Sequence, residues 1–573
     1  MIAYIYAINI NIKKIGGFIM KKGWFLTAAV LLTFLANSFV FSHAAARGDL
    51  NGDGSIDSLD FGLYRMYLLG GYQMGDYTVG DLNGDGSSNS LDFGVLRQYL
   101  LGMITTFPAN GVPTVTPTPT SGNGSGEAWE NNTGTINLGN TITYTGAGIS
   151  VSGSTVNITA GGDHTVTGTL SNGMIYVNTK ERVKLRLSGA SITNSAGPAI
   201  YFEDVDKGFI TLVEGTTNTL ADGRSYSNTE LKATLFSNDD LEIKGKGTLN
   251  ITGNYNHAIC GDDDVIIENG IINVLSAVND GIHSNGAIKV KGGTLNITAT
   301  KDALQTEEEE MLIEDGKLTL SAGSQAFKSD TGVVINGGTV NVTKSEEGVE
   351  APNITINGGT ININSTDDCL NATNGTGSFQ DDGSQLIITG GNIYLNATTG
   401  DTLDSNGKLT IKGGTVVVHG PQSQPEVAID SNGTFTVTGG TLIATGPSAM
   451  MAQYPTGASS QYSIAAMFSS SQAANSAVCV KDSTGKALII TRPKRNFIYV
   501  VFSSPELKQG STYTIYSGGN VSGGTEANGL ITGGTYNGGT ALATITVNTS
   551  PTTTSNWSGG GGFPGGGFPG WGW

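Results

Sequence analysis

The chain has 573 residues, of which 85 are glycine and only 14% are charged, against about 25% in an average globular protein. This composition excludes a coiled coil and disfavours a helical bundle, and a mean hydropathy of −0.05 excludes a protein that crosses a membrane many times. With 30 basic and 48 acidic side chains the net charge is −18. That sign excludes a nucleic-acid partner and favours cations, neutral ligands, or acidic ligands bridged by cations.

The first feature in the chain is an export signal. Lys21 and Lys22 precede an apolar stretch over residues 24–41, and small residues at 44–46 offer a cleavage site. We therefore predict a signal peptide at residues 20–46, with residues 1–19 as an extension upstream of the start at Met20. The mature protein is then secreted, with no membrane span. Its three cysteines are too few and too far apart for a disulfide framework, so calcium is the expected additional source of stability.

Two twelve-residue segments, starting 32 residues apart, place oxygen-bearing side chains on alternate residues, with glycine at position 6 and aspartate at position 12. This is the spacing of a calcium-binding loop, in which alternating side chains reach the ion and the glycine permits a sharp turn. The two loops predict two bound Ca²⁺ ions. The predicted ligands are Asp49, Asn51, Asp53, Ser55, Asp57 and Asp60 in the first loop and Asp81, Asn83, Asp85, Ser87, Asn89 and Asp92 in the second.

Each loop is followed by one helical pattern, and too few residues lie between the predicted cleavage site and the first loop for an entering helix. This small α-helical module, residues 47–105, resembles a type I dockerin. The resemblance implies a cohesin domain of a cellulosome scaffold as partner, docked on positions 10, 11, 17 and 18 of each repeat. Those positions hold Ser58, Leu59, Arg65 and Met66 in the first repeat and Ser90, Leu91, Arg97 and Gln98 in the second. The two repeats present nearly the same face, so two docking orientations are expected.

A linker rich in Pro, Thr, Gly and Ser follows at residues 106–130, and then a repeat of about 22 residues, marked by glycines from Gly247 to Gly440. Each repeat shows two short segments of alternating apolar residues joined by glycines, as around Ile288 and Leu295. This pattern predicts a mostly β protein, a right-handed parallel β-helix over residues 131–446. A β cap is predicted at residues 447–546 and a Gly/Phe/Pro/Trp tail at 547–573.

Stacked coils place equivalent residues in rows, and two rows are candidates for binding. The outward residues Asn250, Asn273, Asn296, Asn341 and Asn362 form an asparagine row, which is either a structural amide ladder or a polar strip that binds glycan. A second row, in the turns, contains Asp280, Asp302, Glu347, Asp368 and Asp401, with further acids beside it at positions 350, 404 and 430. Stacked carboxylates either stay solvated, take up protons or bind cations, so these five acids are candidate calcium ligands.

Segments such as residues 232–240, 253–256 and 278–282 resemble the clostridial β-helix carbohydrate-binding domain, over roughly residues 135–520. The resemblance implies a pectate-lyase-like fold, calcium binding, and binding of cellulose or acidic pectic glycan. That family often has aspartate where this chain has His257. We therefore predict a secreted cellulosome component that binds plant cell-wall polysaccharide and assists polysaccharide catabolism, with no catalytic residues assigned.

The alternative function is a calcium-dependent polysaccharide lyase or a glycoside hydrolase. A lyase needs a base beside the sugar, commonly Arg or Lys. No arginine occurs between Arg224 and Arg492, which excludes an arginine base on the regular coils, while Lys301 and Lys328 remain as candidates. The row of acids keeps a hydrolase open, since inverting glycosidases use two separated carboxyl groups.

Overall fold

The computed structural model describes residues 47–52, 55–56, 58–68, 72, 74, 77–82, 84, 87–88, 92–93, 95–96, 99, 106–107, 128–377, 380–448, 450–456, 458–555 and 557. The predicted signal peptide, most of the predicted linker and the tail after Trp557 lie outside these residues. The chain divides into two compact units, Met1–Gly124 and Ser125–Trp573. Within the described parts, no helix combines the length and the apolar character needed to cross a membrane.

The first unit contains an α-helix, α1 (Ser58–Leu68), directly after the first loop, and a 3-10 turn at Tyr77–Val79 before the second loop. Its small core includes the fully buried Tyr64 and Leu96. The ring of Phe61 on α1 stacks on Phe93 of the second repeat, with centroids 4.3 Å apart. The apolar side chains after each loop therefore hold the two repeats together.

The second unit opens with a 3-10 turn (Ala128–Asn131) and is mostly β, a solenoid of about 13 turns with three rows of strands. The first row is a 13-stranded sheet. Its strands are Ile149–Ser152, Thr155–Ile158, Met174–Asn178, Ile200–Asp204, Ala233–Ser237, His257–Gly261, Ile282–Ser284, Leu304–Thr306, Gln325–Ser329, Glu347–Ala351, Leu370–Ala372, Leu403–Ser405 and Ile429–Ser431.

The other two rows belong to one 27-stranded sheet. The second row comprises Gly208–Leu212, Leu241–Gly245, Val265–Ile267, Ile288–Val290, Met311–Ile313, Val333–Ile335, Asn353–Ile356, Gln385–Ile388, Lys408–Ile411 and Phe435–Val437. The third comprises Thr217–Asp222, Thr248–Gly253, Ile271–Ala277, Thr294–Thr298, Lys317–Ser321, Thr339–Lys344, Thr360–Ser365, Asn392–Ala397, Thr415–His419 and Thr441–Gly446. The early strands Thr133–Leu138, Gly162–Leu170 and Val183–Asn194 begin the sheet, and Thr143–Thr145 pairs antiparallel to the first of these.

Each turn thus has three strands, where the sequence pattern predicts two and places the third in a turn. The missed strand is the one in the 13-stranded sheet, which is often three residues long, as in Ile282–Ser284. Three residues give one alternation, too short for a period-two signal. In that strand Ile282 and Ser284 are both fully buried, so even the inward positions are not uniformly apolar.

The coil interior is filled by the inward aliphatic side chains of all three rows, and most of them are fully buried. The tight turn between the second and third rows requires glycine. Gly293 has φ of 90°, and a Cβ there would lie 2.7 Å from the carbonyl oxygen of Gly270 in the neighbouring coil. The recurring glycine seen in the sequence therefore marks a close approach of two backbones.

The parallel ladder ends at Thr441–Gly446, which pairs antiparallel with Phe497–Ser503, and that strand pairs with Ser463–Gln472, followed by Thr552–Thr553. A six-stranded sheet lies beyond, formed by Val478–Asp482, Ala487–Thr491, Thr512–Ser517, Thr525–Ala527, Leu530–Thr532 and Thr540–Thr546, and a two-stranded one by Asn520–Ser522 and Thr535–Asn537. This antiparallel segment covers the open edge of the last coil, which would otherwise be free to pair with another chain.

Candidate functional site

The two loops of the first unit have the same local geometry. In the first, the amide of Gly52 donates to Oδ1 of Asp49 at 2.7 Å, and the amide of Leu50 donates to Oδ1 of Asp60, also at 2.7 Å. In the second, the equivalent bonds are Gly84 to Asp81 and Leu82 to Asp92, both at 2.8 Å. The carboxylates at positions 1 and 12 thus shape both loops in the same way, and the residues at position 12 are fully buried.

The other predicted dockerin residues are placed as follows. Asn51, Ser55 and Ser87 lie in the described parts of the loops. Met66 on α1 is 48% exposed, as a contact residue for a partner must be, and Ser58, Leu59 and Arg65 belong to the same helix. Asp53, Asp57, Asn83, Asp85, Asn89, Ser90, Leu91, Arg97 and Gln98 lie outside the described residues.

On the second unit, outward side chains of the 13-stranded sheet form a single column from coil to coil, which we call the outer column. Its members, in order, are Tyr176, Tyr201, Phe236, Cys260, His283, Gln305, Lys328, Glu350, Asn371, Asp404 and Asp430. The chemistry changes along it from aromatic, through imidazole, to carboxylate. In each coil, the residue of the predicted acid row lies three positions before the residue of the outer column, so the acid row runs alongside the column.

At the carboxylate end, Asp401, Asp404 and Asp430 bring carboxylate oxygens within 4.8 Å of one another, and we call these three residues the acid cluster. Asp368 and Glu347 lie alongside it. Burial, and after it the charge of the adjacent Asp404, raise the pKa of Asp368 to about 10. Burial likewise raises the pKa of Asp401 and of Glu347 to about 8. Burial and the neighbouring Asp430 raise the pKa of Asp404 well above its ordinary value.

These shifts mean that the acids cannot all be ionised at neutral pH without a counter-charge. They must either share protons or bind a cation that neutralises them. Two amide side chains at this end have buried oxygens without a hydrogen-bond partner among the described residues, Oδ1 of Asn371 and Oε1 of Gln453. Asn371 precedes Asp404 in the outer column, and the Gln453 amide nitrogen donates to Asp430. Carboxylate and amide oxygens are the ligands that calcium prefers.

The five acids predicted from sequence do not converge on one point. Asp401 belongs to the acid cluster, and Glu347 and Asp368 lie beside it. Asp302 lies elsewhere: it accepts a hydrogen bond from the backbone amide of Gln325 at 2.8 Å, and burial raises the pKa of Asp302 to about 6. Asp280 lies between two imidazoles. The predicted set also lacks Asp404 and Asp430, which complete the cluster. Their positions in the column were visible in the sequence as the acids at 404 and 430, but the convergence of their carboxylates with that of Asp401 depends on the packing of two neighbouring coils.

The asparagine row is a hydrogen-bonded ladder in the structure. Nδ2 of Asn273 donates to Oδ1 of Asn250 at 2.8 Å, and Nδ2 of Asn296 donates to Oδ1 of Asn273 at 2.9 Å. Asn362 bonds to Asn341 in the same way at 2.8 Å. The amides thus stabilise the stacking of coils, as the structural alternative predicts. Binding of glycan along this row stays a prediction.

Sequence reasoning missed a charged pocket of about 450 Å³ on the early coils, lined by Lys184, Arg186, Thr211, Glu242, Lys244, Gly245, Glu268 and Asn269. The Trp129 and Phe209 rings stack beside it at 5.8 Å, with Lys184 Nζ 5.0 Å from the Trp129 centroid. The cations of the pocket already pair with carboxylates of the protein. Arg186 forms two 2.6 Å bonds with Asp163, and Lys244 pairs with Glu242 at 2.8 Å.

The fold and the loops together define a two-part protein, a duplicated calcium-type loop module and a β-solenoid. Residues 47–101 match the family of type I dockerin domains, and residues 152–380 match a family described as carbohydrate-binding domain-containing protein. A carbohydrate-binding domain-containing protein of Acetivibrio thermocellus is 35% identical over 134 residues, which cover 22% of this chain and 47% of that relative. The chain thus spans about half the length of this curated relative.

A solved structure of the polysaccharide lyase-like protein from C. thermocellum, a gadolinium derivative, is 24% identical. The match covers 53% of this chain and 97% of that chain, with a TM-score of 0.32. The two family matches support an architecture in which a type I dockerin domain precedes a β-solenoid domain of the carbohydrate-binding kind. Type I dockerin domains bind calcium in general, and proteins that contain them are components of cellulosomes.

Proposed function

We propose that this protein is a secreted, non-catalytic component of a cellulosome, held on a scaffold cohesin by its dockerin, and that its β-solenoid binds plant cell-wall polysaccharide. The observation that supports this most directly is the joining of a dockerin to a carbohydrate-binding domain in one chain. The dockerin's partner is a cohesin domain, reached through the helix faces that follow the two calcium loops. The solenoid is the cargo that this attachment brings to the substrate.

The ligand of the solenoid in this proposal is an acidic pectic glycan, bound through calcium. A polyanion is repelled by a protein of net charge −18 unless cations lie between the two sets of carboxylates. The acid cluster supplies three carboxylates for one calcium ion, with Asp368 and Glu347 alongside. Calcium takes six to eight oxygens, so an ion held by this set keeps positions for oxygens of the sugar.

The test compares retention of the full chain on polygalacturonate and on cellulose, in millimolar calcium and in excess chelator. Wild type should be retained on polygalacturonate only with calcium, and Asp404→Asn should reduce that retention at least tenfold. Glu309→Gln is the matched control, because it removes an exposed carboxylate that is remote in sequence from the cluster. The dockerin's own ions are common to all variants, so only differences between variants are interpreted. Equal retention of wild type and Asp404→Asn would refute the role of the acid cluster.

The same samples test the catalytic alternative. Lys328, the lysine of the outer column, forms an ion pair with Glu350 and is therefore a poor base. The proposal expects no unsaturated product and no new reducing ends from polygalacturonate after prolonged incubation. Release of either, in a calcium-dependent way, would show that the solenoid is a lyase or a hydrolase.

A further inference from the structure

A second cluster of metal-ligating side chains lies in the middle of the same face, and nothing in the carbohydrate-binding proposal uses it. It consists of His257, Asp280 and His283, which we call the imidazole cluster. His257 begins its strand in one coil, and Asp280 and His283 occupy the next coil. All three are buried, at 5%, 1% and 6% exposure.

The ligand atoms of the cluster converge. Nδ1 of His257 lies 3.0 Å from Oδ2 of Asp280, and Nδ1 of His283 lies 3.2 Å from the same oxygen. The two rings stack with their centroids 4.4 Å apart. A zinc ion held at about 2.0–2.2 Å by nitrogen and oxygen donors in tetrahedral geometry separates neighbouring donors by about 3.3 Å. The observed separations are close to this value, and rotation of the two stacked rings would turn both Nδ1 lone pairs towards one ion.

The hydrogen bonds around the cluster also favour a cation at its centre. His257 is buried, and its Nδ1 lies 3.0 Å from Oδ2 of Asp280 without meeting the geometry of a hydrogen bond to any residue that the structure describes. Nε2 of His283 lies 3.3 Å from Oδ1 of Asn285 and 3.5 Å from Oε1 of Glu307, two acceptors. With its proton on Nε2, the His283 ring donates to these acceptors and leaves Nδ1 unprotonated, facing the Asp280 carboxylate. A cation between Nδ1 and the carboxylate stabilises that arrangement.

We propose that His257, Asp280 and His283 bind one divalent transition-metal ion of the zinc class, and not calcium. Imidazole nitrogen suits zinc, cobalt, nickel and copper, whereas calcium takes oxygen ligands almost exclusively. Cys260, the neighbour of His283 in the outer column, packs with Tyr201 and Phe236 and is not a member of the site. Two histidines and one carboxylate are three ligands, so the ion keeps an open position, and it joins two consecutive coils. Asp280, a predicted calcium ligand, is thereby assigned to a different metal.

The test uses the full chain without a histidine tag, in saturating calcium so that the oxygen sites are filled. Cobalt is titrated and its visible absorption recorded, and zinc is then added as a competitor. Wild type should bind one equivalent of cobalt with the intense bands of a four- or five-coordinate site, and zinc should displace it. His257→Asn and Asp280→Asn should each weaken binding at least a hundredfold. Asp302→Asn, which alters the next carboxylate of the same row and leaves the imidazole cluster intact, should bind like wild type.

A second measurement needs no variant. Zinc added in the presence of calcium should raise the unfolding temperature of the wild-type protein, because an ion that joins two coils stabilises the folded state. Absorption no stronger than that of hydrated cobalt up to millimolar concentration, or a sulfur-to-cobalt charge-transfer band, would overturn the assignment. So would equal cobalt affinity of wild type and His257→Asn. None of these readouts depends on glycan retention, so this proposal and the proposed function fail separately.

Discussion

Replacement of Asp404 by asparagine keeps the shape of the side chain and removes its charge, and its effect on stability should change sign with calcium. Burial and the adjacent Asp430 raise the pKa of Asp404 well above its ordinary value. An aspartate in the unfolded chain ionises near pH 4. Between these two pKa values the folded state holds a proton that the unfolded state has released, so its stability falls as pH rises, by about 1.4 kcal/mol per pH unit for each such group.

In chelator, therefore, the stability of wild type should fall with rising pH more steeply than that of Asp404→Asn, by up to about 1.4 kcal/mol per pH unit while the folded-state carboxyl keeps its proton, since the variant lacks this proton-linked group. In calcium the order reverses. The variant has lost one of three carboxylates that lie within 4.8 Å of one another, and a tenfold loss of calcium affinity corresponds to about 1.4 kcal/mol. The variant should gain less stability from calcium than wild type does.

Urea unfolding of the full chain at pH 6 and pH 8, in chelator and in millimolar calcium, measures both effects, with intrinsic fluorescence as the signal. Glu309→Gln should follow wild type under all four conditions, because Glu309 is exposed. If Asp404→Asn loses the same stability with and without calcium, and keeps the pH dependence of wild type, then Asp404 contributes hydrogen bonds only and the acid cluster is not a cation site.

Chelator should also reduce the helical circular dichroism of the dockerin and abolish binding to cohesin, and unchanged binding in excess chelator would contradict the calcium-dependent fold. The two loops have equivalent hydrogen bonds and the two repeats present nearly the same face, so replacing the residues at positions 58–59 alone should cost little cohesin affinity. Replacing the equivalent residues of the second repeat as well should abolish binding. Complete loss of affinity after replacement in one repeat would exclude two docking orientations. Asp163→Asn should destabilise the solenoid by about 1–2 kcal/mol in thermal or urea unfolding, because Arg186 loses its carboxylate partner while Lys184 keeps Glu130 at 3.3 Å and solvent screens the half-exposed Arg186. Burial alone would raise the pKa of Asp163, but Arg186 and then Lys184 hold it below its ordinary value, so this contribution should be present above about pH 4 and disappear as pH falls below it. An equally stable variant at pH 7 would show that the pairs contribute nothing.

The sequence by itself determined the features that depend on short stretches of chain. A calcium loop draws its ligands from twelve consecutive residues, so the dockerin module was predictable from spacing, and the family match agrees. The coil repeat was predictable for a related reason. Alternation along a strand decides which side chains face inward, and one glycine per coil marks the turn at Gly293 and its equivalents. The right-handed sense of the coil stays a prediction.

Only the tertiary structure decided how closely the side chains of neighbouring coils approach. The coil alignment placed Asp404 and Asp430 in one row beside Asp401, but the structure is needed to show that their carboxylates lie within 4.8 Å of one another and that the segment after the last coil places Gln453 beside them. The same holds for His257 and Asp280, which are 23 residues apart in sequence and 3.0 Å apart in space. Burial is also a property of the assembled coils. It raises the pKa values of the acids and turns a row of carboxylates into a set that needs protons or a cation.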